Sequence, residues 1–285
     1  QSARFNAAIV FIKLLTIAVF ITVAVQQVDL ANWTVFLPFG WSGVIHGAAL
    51  VFFAYIGFDA LSTAVEETID PQRNAPIGIL ASLVICTLIY IVVAGLLTSI
   101  VPYTTLNVPS PVADALLHLG HHTAAAIVAA GAVAGLTTVM LVMYYGLTRI
   151  ILAMSRDGLL PGYIACIHPN TCTPIRIIII TAVITGTIAA LTPIGHAAEL
   201  VNIGTLAAFT LVCGGVIILR VINPDLPRPF KVPFMPWFPL LGVFSCFYLM
   251  LNLATITWWR FWLWMAIGLI VYFCYSRKRS HAASL

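Results

Sequence analysis

Two ionisable residues lie inside long apolar runs of this sequence. They are Lys13 in "VFIKLLTIAV" (10–19) and Asp59 in "FFAYIGFDALSTAVEE" (52–67). A charged side chain at bilayer depth costs about 2.5–3.5 kcal/mol to insert, so it usually faces a bundle interior or a water-filled cavity. Burial disfavours the charged form of an ammonium or a carboxylate, so groups enclosed by helices can exchange protons. Spacing gives the two residues a common level. Lys13 lies seven residues beyond Asn6 and Asp59 seven before Glu66. At 1.5 Å per residue, each is about 10 Å in from the cytoplasmic end of its helix. Lys13 and Asp59 are therefore expected to form one proton-coupling or gating site. The alternatives are a lysine that snorkels to the interface and an aspartate that is hydrogen-bonded as a structural residue.

Gly57 raises a second expectation. Irregular backbone at membrane depth is tolerated only where it is packed in protein or lines a cavity. Interrupted helices of that kind supply the main-chain groups with which many transporters hold substrates and ions. The stretch "FAYIG" is thus a candidate for backbone that meets a ligand, the other reading being a simple glycine kink.

Other residues carry weaker signals. Glu66 and Glu67 lie near Arg73 and read as a membrane-edge cluster or a gating ion pair. Gly131 and Gly135 form a G-x-x-x-G pattern among alanines, the mark of a face that lets another helix approach closely. "CIHPNTC" (166–172) has two cysteines and a histidine without the paired spacing of a zinc site. No P-loop and no G-x-S-x-G or H-E-x-x-H signature is present. Neither a metal, a cofactor nor an enzymatic activity is therefore expected.

The elements that position these residues are read from composition. Of the 285 residues 61% are hydrophobic and only 8% charged, against roughly 25% charged in soluble domains. An all-α polytopic membrane protein is expected. Its mild, localised positive charge is not a nucleic-acid footprint. Stretches of the length that spans a bilayer fall at about 6–25, 42–66, 77–101, 123–154, 175–192, 198–219, 237–256 and 260–276. The second is expected to break near 54–59. The fourth is too long for one straight span and must tilt or protrude. Together they read as one transmembrane domain over 1–285.

With eight crossings, eleven of the 13 basic residues fall on one side; Arg260 lies opposite and Lys13 inside a span. The rich side is cytoplasmic by the positive-inside rule, with both ends of the chain there. "WWRFWLW" (258–264) reads as an aromatic belt at the outer interface. The six cysteines are scattered, mostly within apolar runs, which does not make a disulfide framework.

The stretch "FFAYIGFDALSTAVEETIDPQRNAPIGI" resembles the sixth helix and following loop of the amino acid–polyamine–organocation transporters, close to their cationic amino acid transporter branch. "GLTRIILAMSRDGLLP" (146–161) resembles the end of the eighth helix. "LVNIGTLAAFTLVCGGVIILR" and the following "PDLPRPFKVP" resemble the tenth helix and its loop. The resemblance runs over essentially the whole chain as helices five to twelve. It implies a LeuT-type inverted-repeat fold, here incomplete, with the first four helices missing. The glycine-rich break of the first helix, which binds the substrate carboxylate in that family, lies among them.

The resemblance also implies roles. Phe53, Ala54, Tyr55, Ile56 and Gly57 match the unwound segment beside the substrate, with Phe53 covering it and the backbone taking its ammonium group. Lys13 matches a fifth-helix lysine that stands in for the sodium of sodium-coupled relatives. Asp59 matches an acid tied to the same gate. Leu147 replaces the glutamine common in a G-Q-T-R stretch. The expected function is secondary transport of amino acids by alternating access, as proton symport or exchange, in a cell (inner or plasma) membrane. Its partners would be the amino acid, protons, the bilayer and the missing N-terminal helices. The alternatives are a sensor or binding subunit that moves nothing and a membrane-embedded enzyme.

Overall fold

In hydrocarbon a backbone must satisfy its own N–H and C=O groups, and the α-helix does so within a single segment. The computed structural model describes residues 2–58, 68–168, 173–228 and 230–278. Among them are nine α-helices and no strand. They are α1 (Ser2–Ala24), α2 (Gly40–Val51), α3 (Pro71–Ile100), α4 (Pro111–His118), α5 (His122–Arg156), α6 (Ile175–Leu191), α7 (Ile194–Ile222), α8 (Trp237–Leu251) and α9 (Thr255–Cys274). Five helical segments are long and apolar enough to cross a membrane: Ala7–Gln27, α3, α5, α7 and α9. Shorter apolar helices cover Gly40–Tyr55, α6 and α8.

The surface of these helices is apolar. Ile85, Leu88 and Ile91 of α3 and Val183 and Ile184 of α6 are each more than half exposed. Patches of that extent are rare on soluble monomers, whereas lipid tails are as apolar as the side chains they would meet. Helix α5 has 35 residues, about 52 Å at 1.5 Å per residue, well beyond a hydrocarbon core of about 30 Å.

The chain forms two units, each with its own core. The first comprises Gln1–Pro38 and Gly78–Tyr144. Its centre is Phe20, Ala24, Ile100, Leu116, Ala125 and Val128, from α1, α3, α4 and α5. The short helix α4 starts on Pro111, whose missing N–H is no loss at a first position. It buries Ala113, Ala115 and Leu116 on one face. The connection after α1 is tied to the end of α3. Asn32 Nδ2 donates to the Ser99 carbonyl at 2.7 Å, and Trp33 Nε1 donates to Thr98 Oγ1 at 3.2 Å. Ser99 lies in the last turn of α3, where carbonyls have no partner within the helix.

The second unit comprises Phe39–Ile77 and Tyr145–Leu285. Ala49 of α2, Ile203 and Leu206 of α7, Met250 of α8 and Leu253 make its core. Gly242 of α8 lies against α7, since a Cβ there would stand 2.9 Å from Cys213 Sγ. The charged turn "SRDGLLP" ends α5. Gly158 has φ +78°, its N–H bonds Ser155 O, and the Leu159 N–H bonds Met154 O. That is the two-bond Schellman closure with glycine in the left-handed position. Ser155 Oγ donates to Pro161 O at 3.0 Å, and Ser276 Oγ to Leu159 O at 2.7 Å. At the end of α7, the Arg228 guanidinium donates to the carbonyls of Leu219, Asn223, Pro224 and Leu226, so one side chain serves both the helix terminus and its Pro-rich loop.

Candidate functional site

Helix α2 stops at Val51, well inside its apolar stretch. Phe52–Tyr55 winds more tightly, as a 3₁₀ turn, and Ile56 is extended at φ −62°, ψ 129°. Gly57 follows with φ +126°, a region that side-chain-bearing residues rarely adopt. The main chain therefore leaves the helix axis between Phe52 and Gly57. Phe53 is 44% exposed. Peptide groups turned out of a helix can offer N–H to a carboxylate and C=O to an ammonium, the two ends of an amino acid.

Helix α7 holds this break on both flanks. Asn202 Nδ2 donates to Ala49 O and to Leu50 O, each at 3.0 Å. Those carbonyls belong to the last turn of α2, where the regular run of helix donors ends; Leu50 O also accepts from the Phe52 N–H. Two turns further along the same face of α7, the Phe209 ring meets Phe52 edge-on at 6.1 Å between centroids and Phe58 at 5.5 Å. Ala49, Asn202, Ile203 and Leu206 are all fully buried. Neither Asn202 nor Phe209 is singled out by the sequence reading. The available signal was a side-chain amide in the apolar run "LVNIGTL", since a polar group at that depth needs a partner.

Lys13 belongs to the first unit, with its stem laid across α5. A Cβ on Gly135 would stand 3.0 Å from Lys13 Cε and 3.6 Å from Cδ and Cγ. One turn away, a Cβ on Gly131 would overlap the side chain of Thr16, whose hydroxyl donates to Ile12 O at 2.8 Å. The G-x-x-x-G face thus admits α1, and Lys13 is half-buried against it.

Of the residues expected from sequence to act together, Phe53, Ala54, Tyr55, Ile56 and Gly57 lie on the break, and Lys13 on the α1–α5 crossing. Asp59, Glu66 and Glu67 fall outside the described residues, as do positions 169–172 of "CIHPNTC". Glu199, near the start of α7, accepts from Thr257 Oγ1 at 2.5 Å. Thr257 is fully buried. Among the described residues no three His, Cys, Asp or Glu side chains are grouped to hold a metal ion.

Comparison with known proteins covers nearly the whole chain. The profile of the family described as "Amino acid permease" matches residues 1–273. The methylthioribose transporter of Bacillus subtilis (strain 168) is 47% identical over 280 residues, 98% of this chain and 61% of that protein. A branched-chain amino acid permease of the same organism is 46% identical over 281 residues, 98% of this chain and 60% of the relative. The vacuolar cationic amino acid transporter 4 of Arabidopsis thaliana is 38% identical over 190 residues, 67% of this chain and 32% of its own length. The chain thus spans about three fifths of the two bacterial relatives. With an all-helical fold, several apolar helices of membrane-spanning length and a family match over 273 positions, this multi-pass membrane protein belongs to the amino acid permease family.

Proposed function

We propose that the protein is a secondary transporter of amino acids that works by alternating access, with the break at Phe52–Gly57 as part of its substrate site. The observation that carries this reading is the break itself: an apolar helix interrupted at a glycine with φ +126°, in a chain matched to the permease family throughout that region. In this reading Phe53 covers the substrate, and the backbone of Ala54, Tyr55, Ile56 and Gly57 takes its ammonium group. The chain crosses the bilayer eight times with both ends cytoplasmic, in a cell membrane. Lys13 and Asp59 bias the gate through their protonation, and the rest of the site comes from further helices of the same protein.

A neutral, apolar amino acid is the favoured substrate class. The described residues beside the break are aromatic or aliphatic: Phe52, Phe53, Ile56, Phe58 and Phe209. None would pair with a guanidinium or a lysine side chain. The name of one relative, branched-chain amino acid permease, supports the same class. A second reading comes from the relative named methylthioribose transporter, a neutral thio-sugar with an apolar tail. Uptake of radiolabelled leucine into proteoliposomes, competed by unlabelled lysine and by methylthioribose, tests both. Saturable leucine uptake that lysine does not compete supports the first. Uptake of methylthioribose without leucine uptake selects the second. Saturable binding with no flux of either compound overturns transport altogether.

A further inference from the structure

Asn202 is the polar group that the apolar surroundings explain least. It lies in the first third of α7, 0% exposed, beside Ile203 and Leu206, which are equally buried. Burying an amide in such surroundings is unfavourable unless its hydrogen bonds are made. Only the Nδ2 side is satisfied, by Ala49 O and Leu50 O at 3.0 Å each. Backbone carbonyls accept and never donate, which settles the orientation of the amide. Oδ1 is buried with no donor reaching it among the described residues. An apolar residue of similar size would avoid that unpaired acceptor, so packing alone does not account for an asparagine here.

What the amide does is end a helix from outside it. Helix α2 ends where the chain enters the 3₁₀ turn and then the extended Ile56, and of its last carbonyls Leu50 O accepts from the Phe52 N–H. A donor from another helix, the Asn202 amide, serves Ala49 O and adds a second partner to Leu50 O. Without it, either Ala49 O loses this donor while Leu50 O keeps only the Phe52 N–H, or α2 is prolonged through Phe52–Ile56 and supplies donors of its own. In the second case, the peptide groups that leave the axis would return to it. Phe209, two turns along α7, packs on both sides of the same break but offers no hydrogen bond. Packing limits where the segment lies, and Asn202 selects its backbone conformation.

We propose that Asn202 is a positioning residue of the substrate site, setting where α2 ends and so how the backbone of Phe53–Gly57 is presented. This rests on the reading of that backbone as substrate-contacting. Asn202→Leu removes both the donor and the unpaired acceptor while keeping the same number and branching of side-chain heavy atoms, so the fold is expected to survive. Substrate recognition is expected to suffer.

The test uses the whole protein in proteoliposomes with radiolabelled leucine, alongside hydrogen–deuterium exchange of the detergent-solubilised protein. For Asn202→Leu, KM for leucine should rise about tenfold, the factor of one 1.4 kcal/mol interaction, with the maximal rate changed less than threefold. Amides within 49–58 should change their exchange while those of α5 do not. Asn202→Gln, which keeps the donor, should recover part of the lost affinity. It serves in place of the leucine variant if that one does not fold, its KM then lying between wild type and that of Asn202→Asp. Wild-type KM and wild-type exchange at 49–58 in a folded Asn202→Leu overturn the positioning role while leaving the transport reading intact. Altered exchange at 49–58 together with an unchanged KM keeps the helix-ending role and overturns its link to the substrate. If the wild type neither binds nor moves leucine, the transport reading fails, and the inference fails with it.

Discussion

Gly135 lies directly beneath Lys13: a Cβ at 135 would stand 3.0 Å from Lys13 Cε. The lysine stem therefore depends on a missing side chain on the neighbouring helix. Small residues at such a crossing let backbones approach closely, and here the space also takes the methylene chain of a cation. Gly135→Leu should displace Lys13 and lower uptake driven by a pH gradient to the level of Lys13→Ala. Comparing leucine uptake of the two single variants and the double variant checks this. Additive losses would mean that Gly135 does not act through Lys13.

Lys13→Ala itself should abolish the stimulation of leucine uptake by an inward proton gradient while leaving leucine binding measurable. Proteoliposomes with and without an imposed gradient distinguish the two effects. Undiminished gradient-driven uptake would reject Lys13 as the coupling residue.

Gly131→Ala should destabilise the α1–α5 crossing, because the added Cβ overlaps Thr16. Overpacking of this kind costs typically about 1–3 kcal/mol. Thermal unfolding in detergent should show a lower midpoint. Thr16→Ala in the same chain removes the hydroxyl and methyl that the new Cβ meets first, and should restore part of the loss.

At Gly57, any side chain is forced into φ +126°. Strain of this type costs of order 1–3 kcal/mol when the surroundings hold the conformation. Where they give way, the break changes shape instead. Gly57→Ala should weaken leucine binding several-fold with the protein still folded, measured as KM beside the thermal midpoint. A wild-type KM would argue that the local backbone conformation is not used in recognition.

Thr257 donates at 2.5 Å to Glu199 from a fully buried position. A hydrogen bond to a carboxylate contributes about 1.5–3 kcal/mol. Thr257→Val should lower the thermal midpoint accordingly, and Thr257→Ser, which keeps the hydroxyl, should fall much less. A larger loss in Thr257→Ser than in Thr257→Val would place the effect in the methyl group.

Local features were legible where one residue type has one physical use. "SRDG" announces the end of a helix, and Gly158 takes the left-handed position there. Gly57 in an apolar run raised the expectation of a break, and the helix axis is abandoned at Phe52–Gly57. The G-x-x-x-G of α5 signalled a close crossing without naming the partner, which proves to be Thr16 and Lys13 of α1. Asn202 was not legible, because a single amide in an apolar run does not say which carbonyls, about 150 residues away in the chain, it will serve.

By itself the sequence determined the all-helical membrane class, because long apolar runs with few charges have little alternative to helices in lipid. It also marked the backbone that can break, through the conformational freedom of glycine. Which side chain stabilises that break, and which helix leaves room for the half-buried lysine, only the tertiary structure decided. Both depend on distances between segments remote in sequence, and hydrogen bonds and steric overlap act over a few ångströms of space whatever the separation along the chain.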